Sequence, residues 1–155
     1  MPTIVVETRI AASIGRCFDL ARDVDAHAQS SDFTGERIVG GRTSGLLQLG
    51  DTVTFEAVHL GVRRRLTARI AELEPPRRFV DEMVAGPFAS LRHVHEFRTE
   101  GELVVMVDTL AWRSPWGPLG RLADLLFVER HLRAYLTRKQ ANLKAYAEAE
   151  RQRSA

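Results

Sequence analysis

The stretch GPLGRLADLLFVERHLRAYLTRKQANLKAYAEAE, residues 117–150, decides how the rest of the chain is read. It has the make-up of one helix of roughly thirty residues, about 45 Å long at 1.5 Å per residue. Pro118 suits a first helical turn, where its missing N–H is not needed, and no Gly or Pro follows Gly120. Leu122, Leu125, Leu126, Val128, Leu132, Leu136, Leu143 and Tyr146 recur at spacings of three and four. Arg130, Arg133, Arg138, Lys144 and Arg151 fall mostly elsewhere, so one stripe is apolar and the remainder charged. Such a stripe needs a large surface to lie against. Between Ile38 and Arg113 the chain has the two-residue period and the Gly/Pro punctuation of antiparallel strands. The expected architecture is therefore α+β: a curved antiparallel sheet of about six or seven strands wrapped around one long C-terminal helix.

Upstream, Thr3–Ile10 is rich in β-formers and puts Ile4, Val6, Thr8 and Ile10 on one face. Ser13 can cap a helix in which Ile14, Cys17, Phe18 and Ala21 share a side, and a second helical turn covers Asp25 to Gln29. Two short helices thus follow strand one. Further strands are read from Glu36, at Asp51–His59, Val62–Leu73, Arg78–Ala85 and Ser90–Arg98, and at Leu103–Arg113. A Leu60-Gly61 hairpin joins the Asp51 and Val62 strands, and a four-residue turn, Thr99 to Glu102, precedes the last. Pro75-Pro76 ends one strand because neither residue can donate a ladder hydrogen bond.

A chain of 155 residues suits a single domain over residues 1–155, with a loose tail from about 148. The lone Cys17 cannot form an internal disulfide and reads as a buried structural thiol. A formal charge of +2 is too small to argue for nucleic acid, although only Lys139 and Lys144 among the 22 basic residues are lysines. The N-terminus lacks a charged leader before an apolar run, and no segment approaches eighteen apolar residues. The expectation is a soluble, cytoplasmic protein with no transmembrane segment, its oligomeric state left open.

The order of elements, together with several local signatures, resembles the START/SRPBCC helix-grip superfamily over residues 3 to 147, in a largely uncharacterised bacterial branch. Those signatures are Ala12-Ser-Ile-Gly-Arg-Cys-Phe-Asp-Leu20, Gly50-Asp51, Glu74-Pro-Pro-Arg-Arg-Phe79, Gly86-Pro-Phe88 with His93-Val-His-Glu-Phe97, and the Asp108 strand followed by Pro115 and Gly117. The superfamily includes the birch pollen allergen, lipid-transfer domains, polyketide aromatase/cyclases and ubiquinone-binding proteins. The resemblance implies a cavity between sheet and helix and a largely apolar ligand inside it; it does not imply a metal.

Alternation decides which side chains reach such a cavity. Leu91, His93, His95 and Phe97 share a face with Val104, Met106, Asp108, Leu110 and Trp112. The four-residue turn sets His95 opposite Met106 and His93 opposite Asp108. Phe55 and His59 share a face with Arg64, which is set opposite Ala57. Phe79, Asp81 and Met83 compete with Val80, Glu82 and Val84 for the inward side, which ranks Asp81 low.

His93 and Asp108 are the candidate catalytic pair. His59, Arg64, Phe55, Leu91, His95, Phe97, Met106, Leu110 and Trp112 are candidate ligand contacts. The bland alternatives are a structural His93–Asp108 hydrogen bond and exposure of His59 and Arg64 at the strand ends. His93 and His95 with Asp108 or His59 have zinc-compatible spacing, but no Cys pair or HExxH helix supports it, so neither metal nor cofactor is assigned. The expected partner is a hydrophobic small molecule such as a lipid, quinone or polyketide-like compound. An aromatase/cyclase-like enzyme using the His-Asp pair is one alternative. A protein-interaction module, with a filled interior and an exposed apolar patch, is another.

Overall fold

The computed structural model describes the backbone of residues 2–154 and the side chains of residues 2–149. Strand β1 (Thr3–Ile10) is followed by α1 (Ile14–Ala21), α2 (Val24–Ser30) and a 3-10 turn at Asp32–Thr34. Six strands then run in succession: β2 (Arg37–Gly41), β3 (Thr52–His59), β4 (Val62–Glu74), β5 (Arg78–Ala85), β6 (Ser90–Glu100) and β7 (Leu103–Arg113). The chain closes with α3 (Gly117–Ala123), a π-helical segment at Asp124–Val128 and α4 (Glu129–Ser154). All neighbours are antiparallel in one seven-stranded sheet of order β1-β7-β6-β5-β4-β3-β2. This is the expected helix-grip arrangement.

Local chemistry accounts for the element ends. Ser13 accepts from the Arg16 N–H and starts α1, and Asp23 accepts from Asp25 and Ala26 and starts α2. The β3–β4 turn places Leu60 at φ +52 and Gly61 at φ +76, the two positive angles that a type I′ hairpin requires. The resulting register sets Ala57 opposite Arg64 and His59 opposite Val62, as expected.

The β6–β7 hairpin differs from the sequence reading. Its turn has two residues, Gly101 and Glu102, because Gly101 adopts φ +61 at the first central position, where a type II′ turn takes a glycine. Pairing therefore shifts by two residues. His95 lies opposite Asp108 and His93 opposite Leu110, while Met106 faces Phe97. A two-residue shift leaves every side chain on its expected face.

The buried core has two parts. One gathers Ile10, Cys17, Phe18, Phe79, Phe97, Met106 and Leu143, with Phe18 edge-on to both Phe79 and Phe97. The other contains Ile4, Leu110, Trp112, Leu132 and Leu136. Cys17 is buried, and loss of solvation pushes its thiol up to about 11. Buried Gln140 ties α4 to β1 by accepting a hydrogen bond from the Thr8 hydroxyl. Leu132, Leu136 and Leu143 lie on the buried stripe, but Leu122, Leu125 and Leu126 are 52%, 76% and 54% exposed. The stripe was drawn with one helical period throughout, and the π segment at Asp124–Val128 breaks that period. The backbone stays helical past Ala147, and Glu148 accepts from the Ala11 N–H. Side chains from 150 onward, Arg151 and most of the expected tail among them, lie outside the described residues.

Candidate functional site

Between the concave face of the sheet and the terminal helix lies a cavity of about 440 Å³, well within the range of small-molecule sites. Phe55, Ala57, Leu66, Ala68, Leu91, Leu110, Leu132 and Leu136 give it a mainly apolar wall. Leu60, Val62, Arg64 and Trp116 also line it and are exposed, which marks its mouth. Trp116 is 81% exposed, and Leu119, Leu122, Leu125, Leu126 and Phe127 continue an apolar rim along α3 and the π segment. Gly120 is required there, since a Cβ would sit 2.1 Å from the Pro115 carbonyl oxygen.

His93 projects from β6 into this cavity and belongs to a cluster of four ionisable groups. His95, two residues along on the same face, is held between two carboxylates. Its Nδ1 is 2.9 Å from Asp108 Oδ1 and its Nε2 is 2.8 Å from Asp81 Oδ2. Its ring stacks on Phe79 at 4.1 Å and contacts the His93 ring at 3.8 Å. Burial alone would lower the His95 pKa. The charges of Asp108 and Asp81 and the bonds to them outweigh burial and raise it to about 9. Burial pushes Asp108 and Asp81 up, but the histidines beside them hold both below the usual carboxylate range.

His93 moves the other way. Burial lowers its pKa first and the neighbouring His95 charge lowers it further, which outweighs the pull of Asp108 at 3.6 Å. Its Nε2 is buried without a hydrogen-bond partner among the described residues. The sheet therefore presents a neutral imidazole, its Nε2 turned toward Asp108, beside an imidazolium locked in place by two aspartates.

A second polar group comes from α2, the segment before β2, and α4. Glu36 Oε1 lies 3.0 Å from His27 Nε2, and the Tyr135 hydroxyl donates to Glu36 Oε2 at 3.1 Å. Lys139 Nζ lies 2.7 Å from His27 Nδ1. His27 stacks on Phe55 at 4.3 Å, and His59 Nδ1 meets His131 Nε2 at 2.8 Å. Desolvation lowers the pKa values of His27, His59 and His131, so this wall too favours neutral imidazoles.

The sequence-derived candidates divide accordingly. Phe55, His59, Arg64, Leu91, His93 and Leu110 line the large cavity. His95, Met106 and Asp108 instead line a space of about 20 Å³ behind it, bounded also by Lys139 and Gln140. Phe97 is packed in the core against Phe18. Trp112 is fully buried because its indole N–H has a partner at 2.9 Å in Asp124, so it is core rather than cavity wall. Asp81, ranked low, faces inward and completes the His95 clamp. Lys139, Tyr135 and His131 are additions, and their four-residue spacing along the helix was the available signal. Glu36 and His27 carried no pattern that could have found them.

Asp81, His93 and His95 each bring one donor atom within 4.8 Å of the others. A metal there would have to displace the proton shared by His95 and Asp81 and leave Asp108 facing a changed charge. As arranged, His95 is paired with both aspartates and His93 Nε2 lies 3.6 Å from Asp108.

No protein-family model matches the sequence, and no curated protein matches it either. Solved structures do match. The protein TTHA0849 from Thermus thermophilus aligns with a TM-score of 0.78 and 20% identity, covering 96% of this chain and 99% of that one. A START superfamily protein from Mycobacterium smegmatis aligns at 0.72 with 12% identity, covering 95% and 97%. The Zhui aromatase/cyclase from a Streptomyces species aligns at 0.72 with 15% identity, covering 95% and 93%. The fold is thus that of the START and Bet v 1-like helix-grip proteins. Among the described residues no helix is long and apolar enough to cross a membrane.

Proposed function

We propose that this protein takes up a largely apolar small molecule, of lipid, quinone or polyketide-like type, with its oxygen-bearing end turned toward His93. The supporting observation is that His93, whose Nε2 lies 3.6 Å from Asp108 and makes no hydrogen bond among the described residues, lines a 440 Å³ cavity whose wall is mainly apolar. A hydrogen bond between a ligand hydroxyl and the imidazole is worth about 0.5–1.5 kcal/mol net, enough to favour one orientation. Apolar surface supplies most of the affinity and His93 sets the orientation. The open interior speaks against a pure interaction module, while the exposed Trp116, Leu119 and Phe127 are the apolar patch that such a module would use.

Titration with a naphthalene-type dye or a fatty acid tests this reading. Leu91→Trp, which fills the cavity from β6, is expected to weaken binding at least about tenfold while the far-ultraviolet spectrum stays unchanged. His93→Ala should weaken a hydroxylated probe more than its hydrocarbon analogue. Unchanged binding in Leu91→Trp overturns the proposal.

A second reading is an aromatase/cyclase-like enzyme, favoured by the opposed pKa shifts of His93 and His95. A neutral base beside a fixed cation is what proton abstraction next to a carbonyl needs: one group takes the proton while the other offsets the developing negative charge. Asp81 and Asp108 would act by holding His95 in place.

A further inference from the structure

Lys139 is the one buried-side amine of a chain that otherwise uses arginine almost throughout. Of 22 basic residues only Lys139 and Lys144 are lysines. Lys144 is an ordinary surface residue, bonded to Glu148 at 2.7 Å and to the Arg9 carbonyl. Lys139 faces the interior, lines both the large cavity and the small space behind it, and makes no ion pair among the described residues. Its nearest polar atoms are the His27 ring nitrogens, at 2.7 and 2.9 Å.

The geometry points to Lys139 as a nucleophile that captures an apolar aldehyde or ketone as an imine inside the cavity, an inference that rests on the ligand-binding reading above. An arginine at this position would hold a charge; only a lysine can surrender its proton and attack a carbonyl. Next to Nζ stands a route for that proton, from His27 to Glu36, whose Oε1 has no aligned donor, with the Tyr135 hydroxyl on the other carboxylate oxygen. Desolvation favours the neutral amine, although Glu36, Asp108 and Asp81 partly oppose it.

The step is balanced without any further reagent. The ammonium gives one proton to the His27–Glu36 pair, and the Nζ lone pair forms a C–N bond to the carbonyl carbon as the C–O π bond opens. The oxygen takes up the proton shed by the newly bonded, positively charged nitrogen, giving a neutral carbinolamine. A second proton, returned through His27, lets the hydroxyl leave as water, and a protonated imine remains. The apolar wall keeps bulk water from reversing it.

Reductive trapping decides the matter, because the full chain offers only two lysines and its N-terminal amine as targets. The protein is incubated with 2-naphthaldehyde and sodium cyanoborohydride, which delivers hydride to the imine carbon and fixes it as a secondary amine. The expected result is a single mass addition, mapped to Lys139 and formed at least about tenfold faster than at Lys144. Lys139→Met and Lys139→Arg should lose it, and Leu91→Trp should slow it. Equal labelling of Lys139 and Lys144, or an unlabelled Lys139 in protein that still binds a naphthalene-type dye, overturns the imine and leaves the cavity reading standing. Loss of dye binding and labelling together in the wild-type protein overturns both.

Discussion

The two faces of the sheet carry charge in opposite ways. On the convex face, Glu56 accepts from Arg37, Arg63 and Arg65 at 2.9–3.1 Å, and Glu72 and Glu82 engage Arg78 and Arg92. Most of these guanidinium groups are 41–70% exposed. On the concave face, His93, His95, Asp81 and Asp108 stand in a nearly dry layer. Arginine stays charged at any working pH, so the outer ladder is a fixed feature; its guanidinium groups lie in solvent, where a pair is worth little, and together they cover the Glu56 side chain to 4% exposure. The inner groups are titratable and desolvated, and neighbours two residues apart are pushed to different protonation states.

Breaking that contrast should have its largest effect at Asp108. Asp108→Ala leaves the buried His95 with one carboxylate instead of two, and a cost of about 3–5 kcal/mol is expected in urea unfolding at neutral pH. A cost below about 1 kcal/mol would mean that the inner pair is as weakly coupled as the outer ones.

Next in size is a pH effect. The folded pKa of His95, about 9, lies above its unfolded value. Its contribution is fully present below about pH 6.5 and is lost as the pH rises through about 9, on the order of 3 kcal/mol. Asp81 and Asp108 are depressed, so their share is present above about pH 4 and fades as the pH falls further. Urea midpoints measured from about pH 6 to about pH 10 should fall in wild type and stay nearly level in His95→Gln.

The smallest effect belongs to the outer face. Glu56 is held down to about 2 by its bonds to Arg37, Arg65 and Arg63. Even so, Glu56→Gln should destabilise far less than Asp108→Ala. Its effect should also shrink in about 0.5 M salt, where exposed charges are screened over a few ångströms. An effect that persists in salt would erase the distinction drawn between the faces.

The sequence reading recovered the order of elements, both short helices and the inward faces of β3, β4, β6 and β7, because alternation and turn residues are local properties. It placed His93, His95 and Asp108 on the right face with the register two residues off, since a Gly101 turn and a Thr99–Glu102 turn differ only in length; His93 still lies 3.6 Å from Asp108, and His95 is bonded to it more closely. Asp81 was undervalued because β5 offers apolar and acidic residues on both sides. What stayed hidden was the helix contribution. His131, Tyr135 and Lys139 border an apolar stripe that the eye completes with leucines, and the π segment then turned Leu122, Leu125 and Leu126 outward instead. For Glu36, which reaches the cavity from irregular chain, and His27, on a two-turn helix, no long period constrains direction.

The β6–β7 hairpin also sets a rule for how this protein could vary in length. Its cavity groups are separated by even numbers of residues, so inserting or deleting a pair within the ladder preserves the parity of all of them. A single-residue indel in β6 would present Arg92, Val94 and Glu96 to the cavity instead. Descendants of this chain that keep its chemistry should therefore differ here in steps of two, or absorb an odd residue in a bulge.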